Sequence, residues 1–595
     1  MREGLSRPLW LAVIVAAFAL PLFVGLGRTD MENDEAIYSY AVDGILARGD
    51  WLNPLSSPHE DSVFLEKPPL KFWIVAAPIA VGLLPHDELG MRVWDALFGG
   101  LALLYVFAFG RRLAGPICGF VAVFVLFVYG PLLFQHGLRN NNMEAPLVLC
   151  YAGGVYHYLA WATAGSPAKR RGHVVAVTLY FFLGFMTKFV AALFLPVLLA
   201  SATLLHRDTR SRLAGEWKLW AAGAGLFIVL AAPWFVYQQV VAGAELWRIM
   251  LGAHVVERFT VSIDPSHIQP WNYYYVTIFR EMFRTGTVWL TIAGAVLVLV
   301  RVVRERRLEE LLVIAWFVVP LALMSIGTSK IHHYAYPFLP ALALAAGYGP
   351  GWLSLASREP VDAVMKRIEQ RFIEPRAWSA RVRQVLLVLA GAAALLAVAT
   401  LVLGQVQVRI GDVQLFRNSH VFRPVFVAFV LATLAGRGVS AARLMVPIAV
   451  LLSVVPAQAY EDTRVHLRRE EHPMRSARDC LVNVREQERA AGRPAPGIYA
   501  VREQKWMLHS HFYYFRHLAP WERGDVLDDR VVADGLFVPG RERPILLSDA
   551  DYQAFKAGHA DALLAVPAVR LRDVLLLMPG PYAACGPVRS PRLSR

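Results

Sequence analysis

The chain has 595 residues, of which 56% are hydrophobic and only 18% charged. A soluble protein of this size carries nearer a quarter charged residues, so a water-facing surface all round is excluded. The net charge of +14 does not mark a nucleic-acid partner either. The basic residues sit in short clusters between apolar runs, not in one stripe with interleaved aromatics.

In chain order, hydropathy predicts about 13 membrane spans, each near the ~20 apolar residues that a helix needs to cross the hydrocarbon. They are Pro8–Leu26, Met91–Gly110, Pro116–Phe134, Ala145–Trp161, Val174–Met186, Phe189–Leu205, Leu219–Val240, Val288–Val303, Leu311–Ile326, Ala335–Trp352, Val385–Leu403, Pro424–Ala435 and Leu444–Ala459. The first follows a short basic stretch, Met1–Arg7, but is too long for a signal-peptide core and is read as an uncleaved span. The fifth and sixth are short and are separated only by Thr187 and Lys188.

Every even-numbered span ends on a basic cluster, among them Arg111 with Arg112, Lys169–Arg171, Arg207 to Arg212, and Arg301 to Arg307. By the positive-inside rule this places the N-terminus inside and the large polar segments outside. The outside segments are then 28–90, 135–144, 241–286, 328–334 and everything after Tyr460. Two stretches of the first loop, Asp34–Trp51 and Glu66–Ala80, read as amphipathic helices lying in the interface, the second opened by Pro68 and Pro69.

After Ala459 the apolar runs shorten to strand length at Gly497–Val501, Gly535–Val538, Ile545–Leu547 and Val574–Met578, with Ser548 as the cap of a helix through Phe555. Residues 1–459 are expected to form a transmembrane domain and 460–595 a small α/β domain outside the membrane. Cys118 and Cys150 fall in apolar runs and are expected in the core. Cys480 and Cys585 fall in the polar part, where an oxidising compartment would permit a disulfide.

Side chains able to carry chemistry gather in the outside segments. Asp34 and Glu35 follow the first span, where a carboxylate at the mouth of a bundle suits a general base or a metal ligand. A solvated helix end would use the same residues as first-turn charges. Glu66 and Lys67 stand side by side before two prolines that restrict their pose. Arg139, Asn140, Asn141, Asn142 and Glu144 precede the fourth span, where asparagines would also serve as a helix cap. His254 and Arg258 share one helix face. Lys330 and Tyr334 form a polar knot between two spans, and Lys188 is either functional or an interfacial lysine snorkelling to the headgroups.

Together these segments resemble the polyprenyl-phosphate-dependent glycosyltransferases of GT-C fold, in particular bacterial aminoarabinose (lipid A) transferases and protein O-mannosyltransferases. The resemblance rests on Asp34-Glu35 with Tyr38, Gly49-Asp50-Trp51, Glu66-Lys67-Pro68-Pro69-Leu70, Thr187-Lys188, His254 with Arg258-Phe259, and Ser329-Lys330 with Tyr334 and Pro337. It covers roughly the first 350 residues and implies a polytopic helical GT-C membrane protein with a C-terminal periplasmic domain.

The same resemblance implies inverting transfer of a sugar from undecaprenyl phosphate, in the bacterial inner membrane, with the site facing the periplasm. The acceptor would be lipid A or another glycolipid; a protein hydroxyl acceptor and a lipid-linked sugar flippase remain as alternatives. It casts Asp34 as the base or as the group that orients the acceptor, Glu66 and His254 as neighbours or ligands of a divalent metal (Zn, Mg or Mn), and Lys67, Arg258, Tyr334 and Lys188 as donor-phosphate contacts. The partners expected are the lipid-linked donor, the acceptor and the bilayer, with the chain acting as a monomer. One departure stands out: where relatives have an Asp after span three, this chain has Asn140–Asn142 and then Glu144. The chemistry agrees, because the departing phosphate develops negative charge that fixed cations stabilise.

Overall fold

In the computed structural model, the described residues are 2–57, 60–261, 265–356, 370, 378–403, 406–410, 413–418, 422–437, 455–501, 509–518, 522–524, 526–571 and 574–585. Among them, six helices are long and apolar enough to cross a membrane: Glu88–Ala114, Pro167–Ala192, Trp217–Val241, Leu308–Ile326, His332–Leu355 and Ala380–Thr400. Shorter apolar helices include Pro8–Phe23, Pro116–Val128 and Phe194–Leu205. The chain is a polytopic helical membrane protein. The expected span at Leu444–Ala459 lies outside the described residues as far as 454.

Local chemistry breaks several of the expected spans. The first is α-helical to Ile14, then widens to a π-turn over Val15–Ala19 and tightens to a 3-10 turn over Leu20–Phe23, where Pro21 offers no N–H to the ladder. The third stops at Val128, and a separate short helix, Gly130–Phe134, starts with Pro131 in its first turn. The break between the fifth and sixth falls where expected, at Lys188 and Phe189. Pro167–Ala192 is one kinked helix, and the next begins at Phe194. Lys188 and Phe189, at the kink, have non-helical φ/ψ.

Lipid tails are as apolar as the helices, so close packing and not water exclusion holds such a bundle together. Glu144–Thr163 meets Pro167–Ala192 at Gly153 and Phe194–Leu205 at Gly154. A Cβ at Gly153 would lie 2.7 Å from the ring of Tyr180, and one at Gly154 2.8 Å from Leu195.

The first loop differs from the interfacial arrangement expected of it. Asp34–Arg48 is a helix buried on two sides, with Ala36, Ser39, Tyr40, Ala41 and Val42 all enclosed. One side faces the bundle, and the other packs on His509–Phe515, where Tyr40 meets Tyr513 at 5.7 Å and Asp43 pairs with Arg516 at 2.9 Å. The second loop helix is Leu70–Ala80, starting after Pro69 rather than at Glu66. The residue before a proline is driven out of the α region, so the helix cannot begin at Lys67, and Glu66 and Lys67 form a bend ahead of it.

Beyond 455 the chain forms helix 455–466, the amphipathic helix Pro473–Ala490, and a five-stranded mixed sheet. Its order is Glu522–Gly524, Tyr499–Val501, Ile545–Ser548, Val574–Leu577, Ala568–Leu571; the first three are parallel and the last two antiparallel. Ser548 accepts from Asp551 N and starts the helix Asp549–Leu563. Gly535–Val538, expected as a strand, instead ends the helix Asp529–Phe537. Asp528 caps that helix, and Val532 and Leu536 bury one face at helical spacing. Cys480 and Cys585 are disulfide-bonded, while Cys118 and Cys150 are free and buried.

Candidate functional site

Separate parts of the chain line one cavity of about 160 Å³. Glu66 and Lys67 come from the first loop, Lys188 and Phe189 from the helix kink, Val255 and Phe259 from the segment after Val241, and Ser329, His333 and Tyr334 from the loop before Leu339. Leu147, Phe194, Met250, Met324 and Phe338 make the rest of the wall largely apolar.

Each charged side chain is aimed by its neighbours. The Lys67 ammonium lies 5.2 Å over the ring of Tyr38 and 5.6 Å over that of Phe64, and 3.5 Å from Glu66 Oε2. Two ring faces restrict a side chain that is otherwise freely rotating. The kink at Lys188 turns its ammonium onto the carboxylate of Glu144 and 5.0 Å over the ring of Tyr334. Glu144 is buried in the first turn of its helix, where the free N–H groups favour an anion. His333 Nε2 stands 3.6 Å from Glu144 Oε1.

Asp34 stands at the edge of this group. It is half-exposed in the first turn of its helix, with Oδ2 3.7 Å from His136 Nδ1. The ring of His136 stacks on that of His333 at 4.5 Å and 15°, so a pair of imidazoles separates Asp34 from the cavity wall. Tyr38, four residues on and on the same helical face, carries Lys67. Asp34, Glu66, Lys67, Glu144, Lys188 and Tyr334 are thus brought into one neighbourhood.

Other candidates are placed elsewhere. Glu35, expected with Asp34 as catalytic, is buried in a bidentate pair with Arg92, at 2.7 Å and 2.8 Å, and also accepts from Asn141 N at 2.8 Å. Burial pushes its carboxyl up, but the charge and hydrogen bonds of Arg92 outweigh this and hold it below its ordinary value. Successive helical residues point about 100° apart, so Asp34 and Glu35 cannot share a face. Arg139 donates to the carbonyls of Leu22 and Val24 and lines a second cavity with Arg92 and His466. Burial, with the like charge of Arg92, pulls its guanidinium down to about 9. Lys330 is buried, its ammonium lowered by desolvation, and ties the carbonyls of Gln269 and Gly327 together. The side chains of His254 and Arg258 lie outside the described residues.

The metal neighbours expected from the sequence, Glu66 and His254, are only half described, because the side chain of His254 lies outside the described residues. Glu66 contributes one half-exposed carboxylate beside a lysine. Among the described residues, the set of three or more ligand groups within reach of one ion is Asp30, Glu88 and His472, which excludes Glu66. Two of its carboxylates are already engaged, Asp30 by Met474 N and Glu88 by Arg475 and Tyr514. No step is therefore assigned to a metal.

The sequence reading missed two buried polar groups, Lys71 and Arg92, and the partly exposed His136. Lys71 pairs with Asp95 at 2.5 Å and donates to Asn141 Oδ1 at 3.1 Å. Arg92 binds Glu35 and the carbonyls of Leu26, Thr29 and Asp30. His136 joins Asp34 to His333. The first two carried a signal, because ionisable residues beside or inside an apolar span are expensive and mark partners. Asn141, weighed as a helix cap, instead donates to Ser39 Oγ at 3.1 Å and accepts from Lys71; Met143 takes the capping position without a side-chain bond.

Residues 66–237 match the family of dolichyl-phosphate-mannose-protein mannosyltransferases. The chain is 26% identical over 323 residues to an undecaprenyl phosphate-alpha-4-amino-4-deoxy-L-arabinose arabinosyl transferase of Pseudomonas fluorescens, covering 53% of this chain and 52% of that one. It is 27% identical over 349 residues to the transferase of the same name in Pseudomonas aeruginosa, covering 58% and 60%. The matched region thus spans somewhat over half the length of these curated relatives. In fold, the crystal structure of ArnT from Cupriavidus metallidurans bound to undecaprenyl phosphate superposes with a TM-score of 0.60 at 19% identity, over 97% of this chain and 99% of that one. In sequence and in fold, the chain is similar to the GT-C polyprenyl-phosphate-sugar glycosyltransferases.

Proposed function

We propose that this protein is an inverting glycosyltransferase that moves a sugar from a polyprenyl-phosphate carrier, undecaprenyl phosphate, to an acceptor at the periplasmic face of the inner membrane. The observation that carries this reading is the apolar cavity with Glu66, Lys67, Lys188 and Tyr334 in its wall, and Asp34 linked to His333 of that wall through the ring of His136. The transmembrane part, 1–459, would hold the donor, and the α/β unit at 460–595 would stand outside the membrane.

The apolar wall suits an isoprenoid chain, and the two lysines suit the phosphate at its end. Asp34 takes the acceptor proton as the acceptor oxygen attacks the anomeric carbon. The bond from that carbon to the phosphate oxygen breaks, and its electron pair stays with the phosphate. Lys67 and Lys188 stabilise the charge that develops there. The leaving phosphate is stable as an anion, so no general acid is needed on that side.

Lipid A or a related glycolipid is the acceptor favoured, on the resemblance of the loop motifs to the aminoarabinose (lipid A) transferases; the names of the curated relatives give the donor, an undecaprenyl-phosphate-linked aminoarabinose. A protein hydroxyl is the second reading, favoured by the family match at 66–237. A flippase is the third reading; it needs no base, so an effect of Asp34→Asn on transfer separates it from the enzyme. Mass spectrometry of lipopolysaccharide and lipid-linked sugar pools with and without the gene tests the proposal. An acceptor lacking one sugar, with accumulated donor, is expected. Replacing Asp34 with Asn should reduce transfer by about 10²–10⁴-fold while donor still binds; undiminished turnover would remove Asp34 from the mechanism.

A further inference from the structure

We propose that the C-terminal α/β unit is a working part of the transfer site, with Ser510 and Tyr514 acting as positioning residues that set the pose of Asp34. This rests on the reading of Asp34 as the base. The segment leading to Asp34 is not helical, and residues after 470 grip it along its length. Glu471 N donates to Arg28 O at 2.8 Å, and Asp30 N donates to Glu471 O at 3.1 Å. The Asp30 carboxylate accepts from Met474 N at 2.7 Å and Arg475 N at 3.3 Å. Met31 N then donates to Tyr514 Oη, and Asn33 N to Ser510 Oγ, each at 2.8 Å.

These last two bonds fall where the backbone has most need of them. Asn33 has φ 39 and ψ −108, a sparsely populated combination for any residue but glycine. Such a conformation persists only where the surroundings over-determine it. Ser510 and Tyr514 are both buried, so neither bond competes with bulk water. Tyr514 also donates to Glu88 Oε1 at 2.7 Å, tying the turn to the first residue of a bundle helix.

Asp34 therefore stands between two anchors of different origin. On one side Asn33 is held by the C-terminal unit; on the other Glu35 is held by Arg92 of the bundle. The half-exposed Asp34 carboxylate takes its direction from that backbone. Without Ser510, Asn33 can relax toward ordinary φ/ψ and swing Asp34 from the cavity edge. A displacement of about 1 Å is enough to cost on the order of a hundredfold in rate.

The test uses the full-length protein in lipid nanodiscs and the variants Ser510→Ala, Ser510→Thr and Tyr514→Phe. Hydrogen exchange needs no substrate and reads the anchor directly. Ser510→Ala should speed exchange of the amides at 31–36 by about tenfold, the factor one ordinary hydrogen bond is worth, and Ser510→Thr should restore it. Unchanged exchange in Ser510→Ala and Tyr514→Phe would overturn the proposal.

Turnover is then followed with undecaprenyl-phosphate-linked aminoarabinose and lipid A. Ser510→Ala and Tyr514→Phe should lower kcat between about tenfold and a hundredfold with donor KM unchanged, with recovery in Ser510→Thr. Wild-type kcat despite a loosened turn would also overturn it. Asp34→Asn, run alongside, separates the two ideas: full turnover there sinks the base assignment, whereas a dead Asp34→Asn beside an intact Ser510→Ala sinks only the positioning role.

Discussion

Two regions of the first loop carry the same residue types and put them to opposite uses. At its base, Glu35 with Arg92 and Lys71 with Asp95 form ion pairs sealed from solvent, Lys71 and Asp95 being 1% and 0% exposed. At the cavity edge, Lys67 and Glu66 are 16% and 43% exposed and only loosely paired at 3.5 Å. Burial decides the difference. A charge taken out of water has to be matched by fixed partners at close range, which leaves nothing for a ligand. A charge at a cavity edge keeps some hydration and gives it up only when a phosphate or hydroxyl arrives. Asp34 and Glu35 divide along this line although they are adjacent, because the helix turns one toward the cavity edge and the other into the bundle.

The sharpest way to break this comparison is to remove one partner on each side. Lys71→Met strands the Asp95 carboxylate inside the protein and should cost about 3–5 kcal/mol of stability, read as a large loss of thermal stability in detergent. The double variant Lys71→Met with Asp95→Leu should recover most of that loss, since replacing both members of a buried pair with apolar groups is often neutral. Lys67→Met should change stability by no more than about 1 kcal/mol, as expected of a partly exposed pair, yet weaken donor binding. Equal destabilisation by Lys67→Met and Lys71→Met would erase the distinction.

The same division explains what could be read in advance. The membrane class and most helix positions follow from hydropathy, which needs no tertiary information. Glu66, Lys67, Lys188 and Tyr334 were legible because charged and aromatic residues stand out between apolar runs, and they do line one cavity. The break at Lys188 was legible as a lone charge between two apolar runs, but its partner Glu144, 44 positions away, was not. Glu35 and Arg139 carry the same one-letter signal as the residues that line the cavity; their partners, Arg92 and two backbone carbonyls, appear only once the bundle closes. The loop helix Asp34–Arg48 was expected at a lipid interface because its second packing partner, His509–Phe515, lies far off in sequence.

A middle-sized effect is expected at the disulfide. Cys480 lies on the helix Pro473–Ala490 and Cys585 ends the turn Gly580–Cys585, closing a loop across a separation of 105 residues. Replacing both cysteines with serine should cost the C-terminal unit about 2–4 kcal/mol. Because that unit holds the turn before Asp34 and not the Lys71–Asp95 pair, mild loss of its stability should lower turnover before it loosens the bundle. Hydrogen exchange across both regions checks the order; simultaneous loosening of Lys71–Asp95 and the 28–33 turn would show that the two do not move separately.

The smallest effect lies in acid. Asp50 accepts from Leu52 N and Asn53 N, each at 3.1 Å, and from Asn53 Nδ2 at 2.9 Å. Asn53 also meets Tyr237 Oη and Gln238 of the helix Trp217–Val241, so this turn docks the loop on the bundle. Those hydrogen bonds, chiefly the one from the Asn53 side chain, hold the Asp50 carboxyl below its ordinary value. A lowered folded-state pKa means that folding favours the ionised form. Its contribution is present above the unfolded pKa of about 3.9 and fades as pH falls through the lower folded value. Asp50→Asn should therefore be slightly less stable than the parent at pH 7, with the gap closing as pH drops below about 4. A gap that stays constant from neutral pH into acid would mean that the carboxylate's charge contributes nothing to docking the loop.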